Sequence, residues 1–178
     1  MPASGNARWG WHRLTPTWAD RLVADAGIAP GELVVDIGAG TGAVTAPLVA
    51  AGARVIAVEL HPLRLAVLRD RFAHDDVTVV RADAADLRLP RRPFRVVANP
   101  PFAVTTRAIK RLLAPGSRLV RADLVVQRAA AQRWAAGHAP SAGRWLRDYQ
   151  VGVGRPIPRS AFAPRPPVDC TTLRISRR

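Results

Sequence analysis

Two short stretches bring together residues that can do chemistry. The first is Asp36-Ile37-Gly38-Ala39-Gly40-Thr41-Gly42, an acid followed by a glycine at every second position. Glycine tolerates the backbone angles of a tight turn and puts no side chain between the chain and a ligand. The second is Asn99-Pro100-Pro101-Phe102. Its prolines make the turn rigid, the Asn99 side-chain oxygen and the Pro100 carbonyl offer hydrogen-bond acceptors, and the Phe102 ring can stack on a base flipped out of its helix. Acceptors on the hydrogens of an exocyclic base amine would pull its conjugated nitrogen toward tetrahedral geometry and aim its lone pair. No strong general base is required, because the amine becomes more acidic as it is alkylated and water can then take the proton. Catalysis of that kind rests on proximity, orientation and electrostatics. The plain alternative is a proline turn carrying a core phenylalanine.

These residues need elements to hold them. Thr15-Pro16 predicts a helix start, a capping residue followed by proline in the first turn; the helix runs to about residue 28 and Pro30-Gly31 ends it. Apolar runs predict strands over 33–35, 54–58, 77–80, 94–98 and 124–127. Helices are expected over 42–52, from Pro62 with Leu65, Leu68 and Phe72 on one face, over 105–113 and over 129–135. Strand and helix alternating in this way predict an α/β fold, a mostly parallel sheet with helices on both faces. It forms one domain over residues 14–178, behind a loose leader over 1–13. The last part reads as a loop over 137–143 and strands over 150–153 and 171–175. The proline-rich stretches 155–158 and 162–167 read as extended and irregular.

Ligands of such sheets bind at the carboxyl ends of the strands, which is where Asp36, Glu59, Asp83 and Asn99 fall. A glycine loop there also suits a dinucleotide, but that fingerprint is Gly-x-Gly-x-x-Gly, and here the third glycine comes one residue early. A carboxylate at Glu59 can take both hydroxyls of a ribose, and an acceptor at Asp83 can take an adenine amine. The bland alternative is a set of solvated acids at strand ends.

The bulk properties narrow the partners. Among 178 residues, 27 are basic and 13 acidic, a formal charge of +14, and Lys110 is the single lysine. Such a field attracts polyanions, nucleic acid first, and arginine grips phosphate through two parallel hydrogen bonds. An arginine- and alanine-rich composition is also what a G+C-rich genome produces. Cys170 is the single cysteine, so no intrachain disulfide and no cysteine cluster for zinc is expected, in keeping with a reducing cytosol. Residues 37–53 lack charge but contain four glycines and Pro47, so no membrane span is expected.

The acid-per-strand-end series resembles the class I methyltransferases, with a Rossmann-like fold and S-adenosylmethionine as cofactor. The resemblance implies that Gly38 and Gly40 approach the methionine end, Glu59 holds the ribose, Leu60 packs on the adenine, and Asp83 and Ala84 meet the adenine edge. Asn99-Pro100-Pro101-Phe102 further resembles amino-methyltransferases that act on DNA, guanine or a protein glutamine. The wider sequence is similar to the Erm family, the ribosomal RNA adenine N6-methyltransferases of macrolide, lincosamide and streptogramin B resistance. The shared pieces are residues 36–42, Val58-Glu59, Asp83-Ala84, residues 99–102, Val125-Val126-Gln127-Arg128 and Phe162-x-Pro164-x-Pro166-x-Val168-Asp169. Related housekeeping dimethylases of small-subunit RNA usually carry Asn-Leu-Pro-Tyr at the site, so the Pro-Phe ending points to the resistance branch and to 23S RNA.

By the same resemblance, Asn99, Pro100 and Phe102 are catalytic, Asn99 also touches the cofactor, and His12 and Leu14 close over its methionine end. Here the chain departs, with Gly10-Trp11-His12-Arg13-Leu14 where the family usually has Gly-Gln-Asn-Phe-Leu. It also ends at Arg177-Arg178, where family members continue into a small helical domain that helps hold RNA.

RNA contacts are therefore expected from Arg107, Lys110 and Arg111, on one side of the helix after the catalytic turn; a plain solvated face is the alternative. Arg144, Arg147, Arg155, Arg159 and Arg165, interleaved with Trp145 and Phe162, form a second candidate set for unpaired RNA. Cys170 needs no chemical role. The expected protein is a cytoplasmic monomer acting on naked or precursor ribosomal RNA. The alternatives are an amino-methyltransferase on small-subunit RNA, DNA or protein glutamine, and an RNA-binding relative without catalysis.

Overall fold

The computed structural model describes residues 11–140, 142–145 and 147–178. A seven-stranded sheet organises the chain. Its first five strands are β2 (Leu33–Ile37), β3 (Arg54–Glu59), β4 (Val77–Arg81), β5 (Phe94–Ala98) and β6 (Leu119–Gln127), joined by β7 (Tyr149–Ile157) and β9 (Cys170–Arg177). The order is β4-β3-β2-β5-β6-β9-β7; the first five are parallel, and β9 runs antiparallel to both β6 and β7.

Both faces of the sheet are buried, as strict alternation along the strands shows. Val35, Ile37, Val96, Leu124 and Val126 pack in one cluster with α4 (Thr105–Leu112) and α5 (Arg128–Ala135). Val34, Val97 and Val125 pack in the other with α1 (Pro16–Ala26), α2 (Thr45–Ala50) and α3 (Pro62–Arg71). Side chains of a strand alternate between faces, so a parallel strand covered on both sides reads as a continuous apolar run. That run made β2, β3 and β5 readable, while β4, at the sheet edge and only partly buried, was marked by its β-branched stretch Val77-Thr78-Val79-Val80. Helix α1 starts as expected, with Thr15 extended and Pro16 in the first turn, and ends on Gly27 at φ 62.

Five differences have local physical reasons. The helix expected over 42–52 forms only over Thr45–Ala50, because Gly42 sits at φ 94 and its Cα faces the Phe72 ring so closely that a Cβ would come within 2.5 Å of it. Strand β6 begins at Leu119, earlier than expected over 124–127, since Arg121 and Asp123 break the apolar run but pair with each other. Strand β7 continues to Ile157 through a register shift between Val153 and Pro156. The stretch 155–158 is therefore largely strand, and β7 lies at the sheet edge, where a proline leaves no ladder donor missing. A four-residue helix, Ala142–Trp145, enters the loop expected over 137–143. Finally, the loose leader expected over 1–13 is fixed at its end. Arg13–Leu14 forms β1, antiparallel to β8 (Phe162–Ala163), so part of the proline-rich tail is strand as well. Residues 1–10 lie outside the described residues. No helix among those described is long and apolar enough to cross a membrane.

The amino end of the sheet is held by ions. Asp123 is buried on β6 and meets Arg121 at 2.7 Å, Arg174 of β9 at 3.1 Å and Arg95 of β5 at 3.9 Å. The same arginines donate to the last carbonyls of α1, at Asp25, Ala26 and Gly27, where a helix leaves acceptors unpaired and welcomes positive charge. Asp123→Ala would take the shared carboxylate from three guanidinium groups, of which Arg95 is buried but keeps Glu32, while Arg121 and Arg174 reach solvent. Stability should fall by about 1–3 kcal/mol, the cost of leaving buried donors unpaired, read as a lower urea midpoint.

Candidate active site

The turns after β2, β3, β4 and β5 converge at the carboxyl edge of the sheet, and one carboxylate joins two of them. Glu59, 6% exposed, accepts the Gly40 N–H on Oε2 at 2.8 Å. Its Oε1 accepts the N–H groups of Leu60 and His61 at 2.9 and 2.8 Å. A carboxylate has about four lone-pair sites, so three backbone bonds leave room for one ribose hydroxyl; taking both requires a backbone bond to give way. The Val58 carbonyl accepts from Gly38 and Ala39, drawing the glycine loop onto the end of β3.

A cavity of about 280 Å³ lies beside this clamp, lined by Gly38, Glu59, Leu60, Asp83, Ala84 and Arg107 among others. Leu60 is 40% exposed, an uncovered apolar surface suited to a flat base. Asp83 receives the Ala85 N–H on Oδ1 at 2.8 Å, capping the 3₁₀ turn Ala84–Asp86, and retains Oδ2 as an acceptor. Two acidic acceptors around an apolar surface fit an adenosine. Residues that sequence reading did not assign to this cavity also line it: Val58, Arg64, Ala82, Pro101, Ala103, Val104 and Arg107. Arg107 had been expected to serve RNA. Their signal was present in part: Val58 lies at the end of β3, Ala82 follows β4, Arg64 lies in the first turn of α3, and the others lie just before or in the first turn of α4.

The glycine loop is shaped by protein as well as by space for a ligand. Gly38, at φ 72, lies so close to the catalytic turn that a Cβ would come within 2.7 Å of Pro101 Cδ. Gly40, at φ 61, faces the Trp11 indole, whose Nε1 would lie 2.7 Å from a Cβ. The Arg64 guanidinium covers Trp11 at 4.1 Å from the ring centroid. Trp11 therefore stands over the loop, where the resemblance had implied His12 and Leu14. Leu14, 1% exposed, belongs to the core cluster of α1 to α3. His12 turns to the catalytic turn: its ring stacks on Phe102, with centroids 5.5 Å apart and planes at 27°.

That turn is held from both chain ends. Asn99 donates its amide nitrogen to the His12 carbonyl at 2.7 Å. Because only the NH₂ group can donate, the Oδ1 oxygen remains as an acceptor. His12 Nδ1 lies 2.9 Å from the Pro164 carbonyl and must carry a proton to donate to it. The proline-rich tail thus braces His12, and His12 braces Asn99 and one face of Phe102. The Pro101 carbonyl receives Val104 N and Thr105 Oγ1, while the Pro100 carbonyl accepts no bond among the described residues.

The basic sets divide. Arg107 reaches the cavity, but Arg111 donates to the Leu87 carbonyl at 2.7 Å and is tied to the fold. In the second set, Arg155 pairs with Asp25 and Arg159 with Asp169, and Phe162 is buried, so these three do not form an aromatic surface for RNA. The side chain of Trp145 lies outside the described residues. Burial pushes the Cys170 thiol up to about 11, which leaves it unreactive.

Asp36 is fully buried beside the glycine loop. Thr45 Oγ1 donates to its Oδ2 at 2.7 Å, and Oδ1 has no partner. Desolvation pushes its pKa up from 3.8 to about 7; Thr45 opposes the rise and the charge of Glu59 adds to it. A raised pKa in the fold means the folded state binds the proton more tightly. The stabilisation is complete below the unfolded value and is lost as pH climbs through about 7. Urea unfolding at pH 5 and pH 8 should therefore show wild type losing on the order of 2 kcal/mol more than Asp36→Asn. Equal losses would show that Asp36 does not titrate in this way.

The arrangement has relatives. The family model described as ribosomal RNA adenine dimethylase matches residues 5–178. The chain is 38% identical over 174 residues to a ribosomal RNA small subunit methyltransferase A of Leifsonia xyli subsp. xyli, covering 88% of this chain and 60% of that protein. It is 36% identical over 147 residues to the mycinamicin-resistance protein MyrB of Micromonospora griseorubida, covering 82% of this chain and 47% of that one. The chain thus spans about half to three-fifths of the length of these relatives. The crystal structure of the 23S rRNA methyltransferase ErmE superposes with a TM-score of 0.83 at 24% identity, covering 93% of this chain and 70% of that one, a likeness of fold. The family match spans the glycine loop, Glu59 and the Asn99-Pro100-Pro101-Phe102 turn, and the chain belongs to the ribosomal RNA adenine dimethylase family.

Proposed function

We propose that this chain transfers a methyl group from S-adenosylmethionine to N6 of an adenine in 23S ribosomal RNA, giving resistance to macrolide-type antibiotics. The observation that carries the reading is the fixed orientation of Asn99: its NH₂ is committed to the His12 carbonyl, so Oδ1 and the unused Pro100 carbonyl present acceptors beside the cofactor cavity. S-adenosylmethionine, when bound, supplies an electrophilic methyl on a sulfonium. Glu59, Leu60, Asp83 and Ala84 would hold its adenosine part. Asn99 Oδ1 and the Pro100 carbonyl accept the two hydrogens of the adenine amine and orient the nitrogen lone pair. Phe102, already covered on one side by His12, packs against the base with what remains of its surface. The rate gain comes from orientation and fixed dipoles, and water takes the proton released.

The choice of 23S RNA rests on the Pro-Phe ending of the turn and the tail Phe162-x-Pro164-x-Pro166-x-Val168-Asp169. The mycinamicin-resistance protein among the relatives favours the same branch. Similarity to a small-subunit methyltransferase supports 16S RNA as the second reading. A monomer working in the cytoplasm on naked or precursor RNA completes the proposal.

Purified protein, labelled cofactor, and separate 23S and 16S RNA, followed by primer extension, distinguish these readings. Label at a 23S adenine is expected. Label confined to 16S moves the target, and no label on either RNA overturns the activity. Asn99→Ala should lose roughly 100-fold or more in rate, as when one transition-state hydrogen bond is removed, while the protein still folds, with a melting temperature lower by only a few degrees for the lost bond to the His12 carbonyl.

A further inference from the structure

We infer that a cationic track, starting at the mouth of the cofactor cavity and running beside α4 to the far end of the sheet, docks the phosphate backbone of the base-paired RNA stem next to the target adenine. The inference rests on the RNA reading above and extends it to a surface remote from the reacting atoms.

The charge is not spread evenly. Residues 87–122 contain nine basic residues and no acid. Arg95 and Arg121 of that stretch pair with Asp123 at the ion cluster, and Arg111 is tied to Leu87. The side chains of the other six, Arg88, Arg91, Arg92, Arg107, Lys110 and Arg118, have no hydrogen bond or ion pair among the described residues. Elsewhere acids lie among the arginines and some of them pair: Arg54 with Asp76, Arg155 with Asp25, Arg159 with Asp169, Arg174 with Asp123. Residues 87–122 are the longest stretch of the sequence without an acid.

The cations are also connected in space. Arg107 lines the cofactor cavity. Arg111, one turn along α4, lines a neighbouring groove of about 290 Å³ with Arg91 and Arg118. The turn 114–118 forms the ridge between that groove and another of about 600 Å³, which holds Arg118, Arg144, Arg177 and a single acid, Asp148. Arg91 and Arg92 precede β5 whereas Asn99 follows it, so the track spans at least the length of a five-residue strand, about 16 Å.

A duplex suits this surface better than a single strand. Single-strand sites interleave cations with exposed aromatic rings on which bases stack. Along this track the described aromatic side chains, Phe94 and Tyr149, are buried. Arginine without stacking platforms reads backbone and shape, the way double-stranded RNA is held.

The test is fluorescence anisotropy over a salt series, with a labelled RNA stem-loop presenting an unpaired adenine and with a single strand of the loop sequence alone. The proteins are wild type, Arg91→Gln/Arg118→Gln, and a charge-matched control, Arg21→Gln/Arg69→Gln, on the exposed sides of α1 and α3. The track variant should bind the stem-loop more than about tenfold more weakly near 0.1 M salt, and its salt slope should be shallower by about 1.4 to 1.8. Its binding of the single strand, and the control's binding of both RNAs, should match wild type. An unchanged slope in the track variant, or an equal loss in the control, overturns the track while leaving the RNA reading intact. Failure of wild type to bind either RNA overturns the RNA reading and this inference with it. The substituted arginines have no ion-pair partners, and matched melting curves check that each variant folds.

Discussion

A parallel sheet buried on both faces leaves one place where polar groups can meet a ligand, the row of turns at the carboxyl ends of its strands. In this protein the row depends on the Glu59 carboxylate. It binds the backbone of the glycine loop after β2 and the backbone of the turn after β3 at once. Without it, Gly40, Leu60 and His61 would each present a donor with no partner, at a part-buried or buried place where that is costly. The acid that sequence assigns to ribose is thus first a structural clamp, and ligand binding uses the capacity the clamp leaves over.

The Asn99-Pro100-Pro101-Phe102 turn shows the same economy. Pro101 rests on Gly38, so the glycine is required by the turn itself as much as by any cofactor. His12 then holds Asn99 through its backbone and Phe102 through its ring, and Pro164 holds His12. The first described residues and the proline-rich tail, nearly the whole chain apart in sequence, are joined by the β1–β8 pairing and meet at the reacting end.

Arginine has two roles that composition cannot separate. At the amino end of the sheet, guanidinium groups neutralise Asp123 and close the last turn of α1. Beside α4, Arg111 is tied to the Leu87 carbonyl, while Arg91, Arg107 and Arg118 have no side-chain partner among the described residues, which costs little at a surface. The difference lies in where the acids are: Asp25, Glu32 and Asp123 gather at one edge, and residues 87–122 have none.

Sequence alone determined the parallel core, because strands covered on both faces must be apolar at successive positions; β2, β3 and β5 were legible for that reason, and the edge strand β4 through its β-branched residues. It also determined the acids at the strand ends and the glycine loop, since spacing along the chain fixes which residues terminate each strand. Tertiary structure decided what depends on partners distant in the chain. The amino half of β6 was hidden because Arg121 and Asp123 look like a solvated break until Arg95 and Arg174 surround them. The end of β7 was hidden because a proline is admissible only once the strand is known to be at an edge. The site differs most at its lid. The resemblance implied that His12 and Leu14 close over the cofactor; the pairing of β1 with β8 places Leu14 in the core, sets His12 against Phe102 and leaves Trp11 above Gly40. A strand's register determines which of its side chains face inward, and that register is set by a partner about 150 residues away along the chain.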